Sequence, residues 1–190
     1  MKPQFIALFV FFCLTVPILQ GVGQGKKVEN FTLEDYNGTK RSLSDYQSSK
    51  AIVLMFIATK CPVSNAYNDR MESLYKEYSK KNIAFIGINS NKAETVDEIK
   101  EHASENGLTF PILKDHKNLI ADKLNASVTP EIFVLDKKFT ILYHGRIDDS
   151  RRESDVTSKD LKTTLDAVLS GKPIAEIETK AFGCSIKRIR

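Results

Sequence analysis

The amino-acid sequence predicts one α/β domain, a sandwich with a central mixed sheet and helices on both faces. Apolar runs at 51–58, 83–88 and 131–135 have the length and the aliphatic content of strands buried on both sides. Segments with apolar residues at every third or fourth position alternate with these runs, as helices packed on such a sheet do. After the third run the chain closes on an antiparallel hairpin and one more helix, which makes the sheet mixed.

Taken in order, the first 25 residues stand apart as a signal peptide, and 26–190 form the domain. Lys2 is a positive start, Phe5 to Leu19 is almost unbroken apolar sequence, and Gly21-Val22-Gly23-Gln24-Gly25 offers small residues for cleavage. The run falls short of the roughly 20 residues a spanning helix needs and Pro17 interrupts it, so contact with a membrane is confined to this transient leader. Cys13 leaves with the leader; Val10, Phe11 and Phe12 before it are too bulky for a lipid-attachment site. The expected location is secreted or periplasmic.

Phe31-Thr32-Leu33 and Arg41-Ser42-Leu43 flank Asn37-Gly38, a pair that tolerates positive φ and favours a hairpin. The strand at 51–58 follows. From Pro62, acceptable at a first helical position, Val63, Tyr67, Met71, Leu74 and Tyr78 mark one helix. The strand at 83–88 leads to a helix carrying Val96, Ile99 and Ala103, stopped at Asn106-Gly107. A short strand over 110–113, a short helix over 118–124 and the strand over 131–135 come next. Asp136-Lys137-Lys138 turns the chain into 139–143. A capping-box-like start at Thr157 and Asp160 opens the last helix, with Leu161, Leu165, Val168 and Leu169 on its apolar face and Gly171 and Pro173 at its end.

A chain of 190 residues with 42% hydrophobic and 27% charged residues fills one such domain. The formal charge of +4 is modest, and the basic residues Arg151-Arg152 and Lys187, Arg188 and Arg190 do not interleave with aromatics, so no nucleic-acid partner is indicated. His102, His116 and His144 are scattered without ligand spacing, and neither a metal nor a cofactor is implied.

Cys61 is the leading candidate for chemistry. It sits between a buried strand and the start of a helix, where unpaired N–H groups and the helix dipole favour a thiolate. Ser64, one turn on, is placed to donate a hydrogen bond to that thiolate, and Lys60 adds a nearby positive charge. The plainer reading is a buried inert cysteine. Thr129-Pro130 before a strand is either a simple strand boundary or a cis bond. Cys184 is either a solitary thiol or the partner of Cys61, able to resolve a sulfenic acid or mixed disulfide within or between subunits. Arg146 is either a solvated charge or a group that steadies an anion at the site.

Cys61-Pro62 opening a helix and Thr129-Pro130 opening a strand resemble the thioredoxin superfamily. Gly87-Ile-Asn-Ser-Asn91, Phe110-Pro-Ile-Leu113, Gly145-Arg-Ile-Asp-Asp149, Gly171-Lys-Pro173 and Gly183-Cys-Ser-Ile-Lys187 look like its redoxin or peroxiredoxin-like branch, over roughly Val28 to Lys187. The resemblance implies a thioredoxin-like three-layer fold. It also implies that the Thr129-Pro130 loop lies beside Cys61 and holds a thiol substrate or an extended peptide. Two departures limit it. Ser64 stands where thioredoxin-type enzymes carry their second cysteine, which excludes a local dithiol cycle. Ala58 and Leu54 stand where typical peroxiredoxins place the Thr or Ser and the Pro that orient a peroxide.

The function expected is therefore an exported thiol-disulfide oxidoreductase or thiol peroxidase-like protein. Cys61 and Cys184 are its catalytic residues, and Ser64, Thr129, Pro130 and Arg146 line its substrate site. Its partners are a thiol, disulfide or peroxide substrate and an external thiol reductant. The rival is a non-catalytic module that holds extended polypeptides.

Overall fold

The computed structural model describes residues 25–189. The leader expected over 1–25 lies outside these residues except for Gly25. The Asn37-Gly38 turn joins β1 (Thr32–Asp35) to β2 (Lys40–Ser42) in the expected hairpin, with Gly38 at φ 78° and Asp35 accepting the N–H groups of Asn37 and Thr39. The first apolar run forms β3 (Ala51–Phe56), and β4 (Ile83–Asn89), β5 (Ile112–Lys114), β7 (Glu131–Leu135) and β8 (Ile141–Gly145) complete a seven-stranded sheet. Its order is β2-β1-β5-β4-β3-β7-β8; β3, β4 and β5 run parallel, and the remaining neighbours pair antiparallel.

Strand β3 is central because every side chain in it is apolar. Ala51, Val53 and Met55 face one core and Ile52, Leu54 and Phe56 the other, each fully buried. On the first face lie α1 (Pro62–Asn65), α2 (Asn68–Tyr78), α3 (Val96–Glu105) and α5 (Asp160–Ser170), contributing Met71, Ile99, Ala103, Leu161 and Leu165, with Tyr67 between α1 and α2. The second face carries α4 (Leu119–Leu124), with Leu43 from a 3-10 turn and Ile186 from the C-terminal tail.

Three local expectations need correction. The helix from Pro62 breaks at Ala66-Tyr67: Tyr67 bonds to Ser64 O in a tightened turn, and the Ala66 carbonyl is taken by the Arg70 side chain at 3.2 Å. The strand expected over 110–113 begins at Ile112, and Phe110 instead packs edge-on against Tyr75 at 5.8 Å. Thr157 and Asp160 do not cap α5. Thr157 bonds Asp149, and Asp160 accepts from Ser158 and pairs with Arg146.

A capping box does form at α3. Thr95 Oγ1 accepts from Glu98 N at 3.2 Å and Glu98 Oε2 accepts from Thr95 N at 2.7 Å. Replacing Thr95 with alanine should cost about 1 kcal/mol in urea unfolding and serine almost nothing. Equal losses in both variants would show that the cap is not what holds this end.

Candidate active site

The site is assembled where β3 ends. Beyond Phe56 the chain still follows β4, through Ile57 N to Ile88 O at 3.0 Å, and then the N–H groups of Thr59 and Lys60 lose their strand partners. Buried Glu94 replaces those partners, accepting from Thr59 N at 2.8 Å and Lys60 N at 3.2 Å and also from Asn89 Nδ2. A carboxylate therefore fixes the loop immediately before Cys61. Cys61 itself is the N-cap of α1, with φ −93° and ψ 114°, and Pro62 occupies the first helical position.

The sulfur lies in a closed shell of donors and acceptors. Cys61 is 3% exposed; its Sγ accepts from Ser64 N at 3.2 Å and lies 3.4 Å from the Thr129 carbonyl. The Ser64 N–H suits the thiolate, and the carbonyl suits the thiol. Thr129 ends β6 (Val128–Thr129), the Thr129–Pro130 bond is cis, and Glu131 braces the segment by accepting from Ser127 N at 2.7 Å and Val128 N at 3.0 Å. The other oxygen of Glu131 meets His144 Nε2 at 2.6 Å, and the His144 ring stacks on Phe133 with centroids 4.3 Å apart.

The tail supplies the remaining wall. Residues Cys184–Ser185 form β9, which pairs antiparallel with β6 so that Cys184 stands opposite Thr129 and Ser185 opposite Val128. This register brings Cys184 to Cys61, and both are free thiols. Burial is the largest influence on Cys61 and opposes its ionisation. Hydrogen bonds from the Cys184 thiol, the Ser64 N–H, Thr129 and the Cys184 N–H together outweigh it and hold its pKa below the ordinary value. Cys184 is pushed up, first by its hydrogen bond to Cys61 and then by burial, so Cys61 is the more readily ionised thiol of the pair.

The structure thus brings together Cys61, Ser64, Thr129, Pro130 and Cys184. Ser64 contributes differently from expectation: its backbone N–H meets the sulfur, while its hydroxyl accepts from Ala58 N at 3.2 Å. Lys60 turns away, its ammonium 2.7 Å from Glu98. Arg146 is committed elsewhere, with Nε 2.7 Å from Asp160 at the start of α5 and its N–H on Thr179 Oγ1 at 3.1 Å. Its hydrogen bonds go to these groups and not to Cys61. Sequence reasoning missed Glu94, because a polar residue in a loop before a helix reads as solvated. It also missed Phe182, two residues before Cys184, whose ring meets Tyr67 edge-on at 6.3 Å. Among the described residues no group of His, Cys, Asp and Glu is placed to hold a metal ion.

A model of the AhpC/TSA family matches residues 24–144. The thioredoxin-like protein YneN of Bacillus subtilis (strain 168) is 33% identical over 147 residues, 77% of this chain and 81% of that protein. The thiol-disulfide oxidoreductase ResA of Geobacillus kaustophilus (strain HTA426) is 29% identical over 116 residues, 61% of this chain and 65% of that protein. Among solved structures, a hypothetical protein from Sinorhizobium meliloti 1021 superposes with a TM-score of 0.82 at 31% identity, covering 89% of this chain and 96% of that one. The thioredoxin-like α/β fold expected from the sequence is the fold observed.

Proposed function

Because the chain belongs to the AhpC/TSA family, we propose that it is an exported thiol-disulfide oxidoreductase that cycles Cys61 and Cys184 between two thiols and one disulfide. The observation that carries this is the β6–β9 pairing, which sets the two cysteines side by side although most of the domain lies between them along the chain. It supplies the second thiol that Ser64 denies to the local motif. The Cys61 thiolate attacks an oxidised sulfur, whose S–S bond breaks and whose other half departs as a thiolate. Cys184 then gives up its proton and attacks the Cys61 sulfur, releasing the reduced substrate and leaving a Cys61–Cys184 disulfide. An external thiol reductant returns two electrons, with Cys61 the better leaving group because its pKa is the lower.

In this reading the Ser64 N–H steadies the thiolate and Thr129-Pro130 forms the wall against which a substrate sulfur is presented. Arg146 is left as a structural partner of Asp160. Export is supported by the sequence of residues 1–25, which lie outside the described part except for Gly25; among the described residues no helix is long and apolar enough to cross a membrane.

The test is the pH dependence of alkylation of the reduced protein, read separately at each cysteine by mass spectrometry. Cys61 should titrate below the ordinary value of about 8.5 and Cys184 above it. Thiolate reactivity at Cys61 then persists as the pH falls to its lowered pKa, whereas reactivity at Cys184 is gained only as the pH rises. A mild oxidant should join the two within one chain. Cys61 titrating at or above about 8.5, with no such disulfide, would favour the non-catalytic module.

A further inference from the structure

β6 and β9 are two residues each, and so short a pair of strands does not hold itself together in water. The alignment of Cys184 with Cys61 needs further support, and a buried lysine stands where the support converges. Lys114 ends β5 and is 5% exposed, although a lysine at a strand end ordinarily reaches solvent. Its ammonium donates to Asn89 Oδ1 at 2.9 Å and to the Asn91 carbonyl at 2.6 Å. Each asparagine passes the contact on to the segment of one cysteine. Asn89 Nδ2 donates to Glu94, the carboxylate that accepts from the N–H groups of Thr59 and Lys60 just before Cys61. One amide thus bridges a buried cation to a buried anion. On the other side, Asn91 Oδ1 accepts from Lys187 N at 2.8 Å and Lys92 N donates to Lys187 O at 2.9 Å, in the tail that carries Cys184.

We propose that Lys114 and the two asparagines it binds, Asn89 and Asn91, are positioning residues that hold the Cys61 loop and the Cys184 tail in register for disulfide formation. This rests on the two cysteines being the redox pair, as proposed above. Lys114 acts at a distance from both sulfurs, through Asn89 and Glu94 on one segment and through Asn91 on the other. A charged donor suits the task, because charge-assisted hydrogen bonds are about twice as strong as neutral ones. Burial pushes the ammonium below its ordinary pKa, and the carboxylates of Glu94, Asp115 and Glu98 pull against that effect. With the network broken, Ile186 in the second core and Asn118, which accepts from Ile189 N, still keep the tail attached, so what is lost is the alignment of the sulfurs. Thiols that are less well aligned close more slowly, and the disulfide they form is easier to reduce.

The reduced full-length protein is equilibrated in glutathione buffers of graded potential, and the Cys61–Cys184 disulfide is read by alkylation and peptide mass spectrometry. Two protein thiols and one glutathione disulfide become the protein disulfide and two glutathione thiols, so the ratio gives the potential of the pair. Lys114→Met keeps an unbranched chain in the site without its donors. It should lower the equilibrium constant for the disulfide about tenfold, a rise in potential of about 30 mV. Asn91→Ala should act in the same direction, whereas Asn91→Asp, which still offers an oxygen to Lys187 N, should stay near the wild type. A lysine that only stabilises the fold would lower the urea midpoint and leave the potential unchanged. That result in a folded Lys114→Met overturns the positioning role and leaves the redox pair standing. Should Lys114→Met fail to fold, as judged by circular dichroism, the two Asn91 variants decide: a rise with alanine and not with aspartate supports the network, and equal potentials in both overturn it. A wild type that forms no Cys61–Cys184 disulfide in any buffer overturns the redox pair and this inference together.

Discussion

Replacing Cys184 with alanine is expected to abolish thiol-dependent turnover while leaving Cys61 able to react once. Two effects combine. The first is the loss of the resolving thiol. A neighbour held against the Cys61 sulfur by the β6–β9 register attacks with an effective concentration far above the millimolar level of a free thiol, so turnover should fall by about 10²-fold or more. The second is electrostatic. Burial pushes the Cys61 pKa up, and among the hydrogen bonds that outweigh it the one from the Cys184 thiol is the largest. Removing that donor moves the Cys61 titration upward. At a fixed pH below the new pKa the thiolate fraction then falls, about tenfold for every 1.4 kcal/mol of lost thiolate stabilisation. Serine separates the two effects: it also loses the disulfide, but its hydroxyl still donates to the thiolate. Alkylation profiles of Cys61 should therefore run wild type, then Cys184→Ser, then Cys184→Ala in order of rising pKa, with both variants stopping at a mixed disulfide or at over-oxidised Cys61. A Cys184→Ala variant that turns over like the wild type would remove Cys184 from the cycle.

What the sequence revealed about this site depended on how local the determining interactions are. The helix-head position of Cys61 was legible because a buried apolar run followed by Cys-Pro is a property of neighbouring residues. The strands over 83–88 and 131–135 were legible for the same reason; both faces of each are covered, so composition alone marks them. The capping of α5 was misread because Thr157 and Asp160 have the right spacing, yet each has a more distant partner, Asp149 and Arg146 respectively, that the spacing does not report. Arg146 was placed at the site on the same kind of local argument and is held by Asp160. The pairing of Cys184 with Cys61 remained open in the sequence, because a two-residue strand carries no periodicity. What selects it is a set of single contacts: Gly183 against Thr129, Ile186 in the second core and Lys187 on Asn91.

Replacing Asp148 with alanine is expected to destabilise the fold by about 3–5 kcal/mol in urea unfolding, the range for removing one partner of a buried ion pair. Asp148 and Arg70 are 6% and 10% exposed, with Oδ2 and Nη1 2.6 Å apart. Arg70 also donates to Ser150 O at 2.8 Å, Arg151 O at 2.6 Å and Ala66 O at 3.2 Å, and its guanidinium lies 3.7 Å from the centre of the Tyr67 ring. Without the carboxylate, a charge that cannot be deprotonated stays buried among carbonyls and one aromatic face. Arg70→Met in the Asp148→Ala background removes that stranded charge and should recover part of the loss. It cannot recover all of it, because three backbone carbonyls then lose their donor. The double-mutant cycle therefore has a predicted sign: the two losses are less than additive. Full additivity would mean that the pair is screened and contributes little. The effect should reach the active site, since the Tyr67 ring that Arg70 covers is also the ring against which Phe182 packs. Loosening Tyr67 loosens the residue two positions before Cys184, so the Cys61–Cys184 disulfide should form more slowly in Asp148→Ala even under conditions where the variant remains folded. An unchanged rate of disulfide formation in the folded variant would show that β9 is held by Gly183, Ile186 and Lys187 without help from Phe182.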